Sequence, residues 1–200
     1  MKIVILGPDG AGKSSVIAGL MDKFNAIGHV AKMRHLKPAI IVPRRGCEAA
    51  VNVDPHGQTP RSILTSIAKI LVWLLEEWYS KLFQDDKKEL LICDRYYHDL
   101  LVDPRRYRYG GPAWAAELVG KLMPKPKLWV LLDAPAEIFQ ARKQEVPLEE
   151  TVRQRQAYIA FTQKQPKHMV VDASQPLGKV IENVSDAILK VLLESEGNSE

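Results

Sequence analysis

The chain has 200 residues, 46% of them hydrophobic and 26% charged, enough to bury one sizeable core behind an ordinary polar surface. A formal net charge of +4 suits a small anionic ligand but comes without the dense basic stripe of a nucleic-acid binder, so no nucleic-acid partner is expected. Two cysteines, Cys47 and Cys93, exclude a disulfide framework and paired metal-ligand spacing, which points to a reducing, cytoplasmic compartment.

Residues 1–6, with the run Ile3-Val4-Ile5-Leu6, read as a buried central strand that leaves no room for a signal or transit segment. Directly behind it stand Gly7-Pro8-Asp9-Gly10-Ala11-Gly12-Lys13-Ser14 and then Ser15, which fit the phosphate-cradle pattern G-x-x-x-x-G-K-[ST]. The glycines let successive backbone N–H groups turn inward as an anion nest, and the N-terminus of the following helix adds partial positive charge. Lys13 can reach the β and γ phosphates of a nucleotide, and the Ser14 hydroxyl can hold the accompanying magnesium ion.

Residues 13–27 read as a helix with Val16, Ile17, Leu20, Met21 and Phe24 on one face and Gly28 as its stop. A short second strand over 29–34 leads into an irregular stretch punctuated by Pro38, Pro43, Gly46, Pro55, Gly57 and Pro60, and loops of that length tend to carry function. A helix then opens at Thr59-Pro60 and runs to about residue 84. Its expected inward face is Ile63, Ile67, Ile70, Leu71, Leu74, Trp78 and Leu82, with Trp73 and Tyr79 turned toward a partner subunit. Lys69, Glu76, Glu77 and Lys81 interrupt its hydrophobicity, so no membrane span is expected.

Residues 90–93 read as a third strand ending at Asp94-Arg95, 128–132 as a fourth ending at Asp133, and 169–171 as a fifth. Helices are expected over 112–123, 135–143, 148–165 and 177–193, followed by an acidic, frayed tail over 194–200. Alternating strands and helices imply an α/β fold in a single domain over residues 1–193, with a mostly parallel sheet covered on both faces. Open sheets of that kind bind ligands beyond the carboxyl ends of their strands, where Asp94 and Asp133 stand.

Taken in order, four segments resemble the thymidylate kinase family across nearly the whole chain. They are residues 7–14, Asp94-Arg95-Tyr96, Leu132-Asp133-Ala134-Pro135 leading to Arg142, and Val171-Asp172-Ala173-Ser174. The resemblance implies a P-loop NTPase three-layer sandwich about a five-stranded parallel sheet, which transfers the γ-phosphate of ATP to a nucleoside monophosphate with Mg2+. It implies that the loop from Gly7 to Ser15 holds ATP, that Lys13 is catalytic, and that Ser14 and Asp94 organise the metal. Arg95 then lies beside the acceptor phosphate. Residues 142–155 resemble the family's lid, with Arg142 stacking on adenine, Arg153 stabilising the transferring phosphoryl group and Arg155 near it, while Ala173-Ser174-Gln175-Pro176 would hold the adenine edge.

The residues read by themselves agree with those roles. A strand-end carboxylate can orient magnesium-bound water, and a guanidinium can fork onto a phosphate. The plain alternative for Asp94 and Arg95 is a structural ion pair. Asp9 either helps to position the acceptor or only forms the turn, and the lid arginines are alternatively a solvated helix face.

Two segments depart from the family. Thymidylate kinases usually carry a Thr-Arg-Glu-Pro-Gly type segment after the second strand, where this chain has Met33-Arg34-His35-Leu36-Lys37-Pro38. After Asp94-Arg95 the family has a Ser-rich helix with Tyr-Gln, where this chain runs through Arg105-Arg106-Tyr107-Arg108-Tyr109. Arg34, Arg95, Arg105, Arg106 and Tyr107 therefore stand, with Asp9, as acceptor-binding candidates, because arginine offers a bidentate fork and tyrosine a stacking face. A solvated loop is the alternative for residues 105–109, and Arg44 and Arg45 add a second basic cluster. His56 in Asp54-Pro55-His56-Gly57 has no acid–base partner in the sequence.

Three functions compete on these residues. The first is a thymidylate kinase-like nucleoside monophosphate kinase, and the second a kinase of the same fold acting on another phosphorylated or sugar-containing metabolite. The third is a nucleotide-dependent switch, which the absence of an Asn-Lys-x-Asp guanine-reading motif disfavours. The apolar residues around more than one face of the helix over 60–84 lead us to expect a homodimer and a small-molecule nucleotide or metabolite as ligand.

Overall fold

The structure, a computed structural model, describes residues 1–36, 59–83 and 89–197. The chain divides into two compact units. The sheet unit comprises Met1–His35, Asp86–Tyr96 and Lys125–Glu200, and the helical unit comprises Leu36–Asp85 and Tyr97–Pro124. No break in composition marks the points where the chain passes from one to the other, which is why the sequence reads as one domain. The expected features at Pro38, Pro43, Arg44, Arg45, Gly46, Cys47, Pro55, His56 and Gly57 lie outside the described residues.

In the sheet unit, β1 (Lys2–Leu6), β2 (Ala31–His35), β3 (Leu90–Asp94), β4 (Leu128–Asp133) and β5 (His168–Asp172) form a five-stranded, all-parallel sheet in the order β2-β3-β1-β4-β5. Helices α1 (Lys13–Ala26), α5 (Ala136–Arg142), α6 (Leu148–Gln163) and α7 (Leu177–Gly197) flank it. Side chains alternate across a strand, and the alternation divides the packing. Ile3, Ile5, Val130 and Leu132 join the core built with Ile17, Leu20 and Phe24 of α1 and Val184 and Ile188 of α7. The intervening Trp129 turns the other way and meets Phe161 of α6 edge-on, with ring centroids 5.1 Å apart. All five strands of a parallel sheet need such cover, and β1 at the centre is buried at every position. Phe24 is fully buried in that core, so truncating it to Ala costs about 3–5 kcal/mol.

Helix α1 stops where expected: Gly28 takes φ +86° and its N–H donates to Asn25 O at 3.1 Å. Helix α7 continues to Gly197, beyond the expected end at residue 193, and Glu194 pairs with Lys167 at 2.7 Å.

The helical unit contains α2 (Ile63–Phe83), α3 (Asp99–Val102) and α4 (Ala113–Leu122). The one-turn α3 has no counterpart in the sequence reading. Helix α2 corrects the expected inward face. Ile63, Leu71, Trp78 and Leu82 are exposed, Leu82 by 67%, whereas Trp73, expected to face a partner, is 3% exposed. The buried residues are Ser66, Ile70, Trp73, Glu76 and Glu77. Three of the five are polar, and the Ser66 hydroxyl accepts a hydrogen bond from Gly110 N at 3.0 Å. Ile70 of the expected face is buried and Ile67 and Leu74 are half-buried, so hydrophobicity alone finds only part of the inward side of this helix. Among the described residues, no helix is long and apolar enough to cross a membrane.

Candidate phosphate-binding site

β1 lies between β3 and β4, so the chain leaves its carboxyl end with the ends of both neighbours beside it. The loop that follows needs its glycines for different reasons. Gly10 takes φ +84°, and a Cβ there would sit 2.5 Å from the Phe139 carbonyl oxygen, so the loop packs directly on the backbone of α5. Gly12 takes φ +81° with nothing within 4 Å of where its Cβ would be, leaving open space against the loop backbone. Gly12 is also the N-cap of α1 and supplies no side-chain cap, so the first N–H groups of that helix are not capped by it. Open backbone donors at the positive end of a helix make an anion cradle.

Lys13 is buried, and its ammonium donates to the carbonyls of Gly7 at 2.7 Å and Pro8 at 2.8 Å. It is thus curled back over the loop that it follows. Ser14 and Ser15 are exposed on the first turn of α1.

At the end of β3 the chain bends sharply. Arg95 has a left-handed backbone with φ +69°, a conformation that costs a side-chain-bearing residue about 1–2 kcal/mol. The bend aims its guanidinium at Asp9 in the loop, 2.5 Å away, and at the Tyr158 hydroxyl on α6 at 3.4 Å. Asp94 Oδ2 meets His35 Nδ1 of β2 at 3.2 Å, while Oδ1 is buried with no hydrogen-bond partner among the described residues. An orphaned carboxylate oxygen in this position fits a magnesium ion or its water. Magnesium takes one or two carboxylates together with phosphate oxygens rather than a cage of protein ligands, and no cluster of three His, Cys, Asp or Glu side chains occurs among the described residues.

The ends of β4 and β5 carry a second group of side chains. Asp133 receives a two-pronged hydrogen bond from Arg155 of α6, Nε–Oδ1 at 2.7 Å and Nη2–Oδ2 at 2.8 Å. Arg155 is therefore tied to the sheet. Arg153 is half-exposed and forks onto Glu150 one turn earlier on α6, at 2.6 and 2.8 Å. After β5, Asp172 Oδ1 accepts from Ser174 Oγ at 2.5 Å and Ser174 N at 2.9 Å, bonds that hold its carboxyl below the usual carboxylate range. The turn this closes presents Ala173 and Gln175. Together with Gly12 and Ser15 of the loop, Arg142 at the end of α5, and Val16, Leu177 and Val180, they line a pocket of about 230 Å³.

The structure thus brings Gly12, Ser15, Arg142 and Ala173 into one pocket and separately joins Asp9 to Arg95, whereas Ser174 serves the turn and not the pocket wall. Val16, Leu177 and Val180 are pocket residues that their helical periodicity marks only as core. Arg34 lies in β2, next to the His35 that meets Asp94. In the helical unit Arg105 is exposed, Arg106 N donates to Asp103 Oδ1 at 3.1 Å, and Tyr107 donates its hydroxyl to the buried Asp99 at 2.7 Å. The sequence marks none of Arg61, Lys69 and Ser66 as a binding group. No protein-family model matches the chain, and no curated protein matches it.

Proposed function

We propose that this chain is an ATP-dependent kinase of the thymidylate kinase type, acting with Mg2+ on a nucleoside monophosphate. The observation that carries the proposal is the pocket itself: Gly12 and Ser15 of the glycine-rich loop share it with Arg142, Ala173 and Gln175. A loop that cradles phosphates and a wall able to take a flat base thereby belong to one cavity. Leu177, Val180 and Val16 supply its apolar floor, and the Arg142 guanidinium offers a stacking face.

In this reading the α1 N-terminus and the loop N–H groups hold the phosphates, and Lys13 exchanges its two carbonyl partners for phosphate oxygens. Ser14 and Asp94 Oδ1 would hold magnesium, which when bound neutralises charge on the phosphates. Arg95, fixed by Asp9, positions the phosphate of the acceptor, and no covalent enzyme intermediate is required. Arg155 stiffens the end of β4 through Asp133, while Arg153 would reach a phosphoryl group only on leaving Glu150. Exposed apolar residues on α2 and α4, among them Leu71, Leu75, Trp114 and Leu118, support a homodimer.

A coupled ADP-release assay across a panel of nucleoside monophosphates tests the activity. Turnover with at least one of them, lost in Lys13→Ala, is the expected result. ATP binding without turnover on any monophosphate would remove the acceptor class and leave a nucleotide-binding protein.

A further inference from the structure

The helical unit holds three cations that the proposed phosphoryl transfer does not use. Residues 108–110 lie directly against residues 60–61: Arg61 N donates to Arg108 O at 2.9 Å, and a Cβ on Gly110 would sit 2.1 Å from Arg61 O. Arg108 itself takes φ +51°, the second of two left-handed side-chain-bearing residues among the described residues. That backbone contact, with Lys69 of α2 bonded to the adjacent Tyr107 O, puts Arg61 and Arg108 near enough for Lys69 to feel both charges.

Lys69 and Arg108 are each held by a backbone carbonyl. The Lys69 ammonium donates to Tyr107 O at 2.9 Å and sits 4.7 Å from the Trp73 ring centroid and 5.6 Å from that of Tyr107. Arg108 uses Nε–H on Thr59 O at 3.0 Å. Among the described residues, no carboxylate lies within ion-pair reach of Arg61, Lys69 or Arg108. Asp99 is engaged by the Tyr107 hydroxyl and Asp103 by Arg106 N. Burial, followed by the charges of Arg61 and Arg108, brings the Lys69 ammonium down to about 8. Like charges brought together without a counter-charge raise the free energy of the empty protein, and an anion offsets that repulsion.

We propose that Arg61, Lys69 and Arg108 form a binding site for an oxyanion, a phosphoryl or carboxylate group. The two arginines offer forked donors, and Lys69 supplies a point charge held in place by its two rings. Because those rings and hydrogen bonds hold Lys69 and Arg108 before binding, the Arg61 side chain is the main part left to order. The site stands whether or not the chain transfers phosphate.

The test is an NMR titration of the full chain with inorganic phosphate and, separately, with acetate, following the amides of Arg61, Arg108 and Gly110 alongside those of residues 12–15. Phosphate is expected to shift the first group along a saturable curve. Arg61→Gln and Lys69→Gln each weaken that curve tenfold or more and leave the titration of residues 12–15 unchanged. Saturation with acetate as well assigns a general oxyanion site, and saturation with phosphate alone assigns a phosphoryl site. Arg61 is exposed, so its variant carries the test if Lys69→Gln fails to fold. Linear, non-saturating shifts with both anions, or wild-type curves in both variants, overturn the proposal.

Discussion

Asp9 and Arg95, 86 residues apart in sequence, meet at 2.5 Å across the carboxyl ends of β1 and β3. Both side chains are largely buried, so breaking the pair costs more than breaking an exposed one. Arg95 also holds a left-handed backbone to make the contact, and the pair therefore repays a local strain.

Asp9→Asn keeps the shape and removes the charge. It is expected to destabilise the chain by about 2 kcal/mol in urea unfolding, because a charge-assisted hydrogen bond becomes a neutral one. If Arg95 positions an acceptor phosphate, the same variant also raises the acceptor KM more than it lowers kcat. An unchanged unfolding midpoint would show that the pair contributes nothing measurable.

Gly10→Ala and Gly12→Ala separate packing from ligand approach. The first places a methyl group against the Phe139 carbonyl and is expected to cost more than about 2 kcal/mol of stability. The second meets open space and bears only the backbone strain, about 1–2 kcal/mol, yet it intrudes on the cradle. If the loop holds ATP as proposed, ATP raises the thermal midpoint of the wild type, and Gly12→Ala should lose that rise while remaining folded. Equal loss of stability in both would contradict this division.

Lys69 gives a pH signature. Its folded-state value is near 8 against an ordinary 10.5, so over that window the unfolded chain binds more protons and stability rises with pH. The groups that face it are Arg61, Arg108, Tyr107 and Trp73. Burial also pushes the Tyr97 and Tyr109 hydroxyls above the ordinary tyrosine value. Wild type should gain on Lys69→Met in chemical unfolding as pH rises through that window, while its affinity for phosphate falls. A difference between the two proteins that stays flat with pH would refute the assignment.

The exposed apolar face predicts the assembly. Leu71, Leu75, Trp114 and Leu118 stand out from α2 and α4, and light scattering of the wild type should give a dimer. Leu75→Glu should give a folded monomer. A monomeric wild type at high concentration removes the expectation.

The strands and the loop were legible because their signals are local. Ile3-Val4-Ile5-Leu6 followed by Gly7 to Ser14 states a strand, a turn and a helix start in consecutive residues, and Asp94 and Asp133 mark strand ends by breaking apolar runs. The inward side of helix α2 is only partly legible because its buried residues include Ser66, Glu76 and Glu77, and Ser66 is bonded to a residue 44 positions away. The Asp9–Arg95 contact and the Arg155–Asp133 clasp likewise follow from strand order, which no window of sequence contains. Arg153 and Arg155 look alike in the sequence, and the structure separates them by what each can reach: Glu150 for one, Asp133 for the other. Lys69 reads as a break in a hydrophobic run, and only the approach of residues 108–110 makes it part of a cluster.

Lys13 carries its own stand-in for a ligand. With Gly7 O and Pro8 O already satisfying its ammonium, the loop does not wait with a bare buried charge. If the loop holds phosphates as proposed, an anion that recruits this lysine must displace those neutral acceptors, so the resting hydrogen bonds of one side chain would set a threshold that a polyphosphate clears more readily than a singly charged ion.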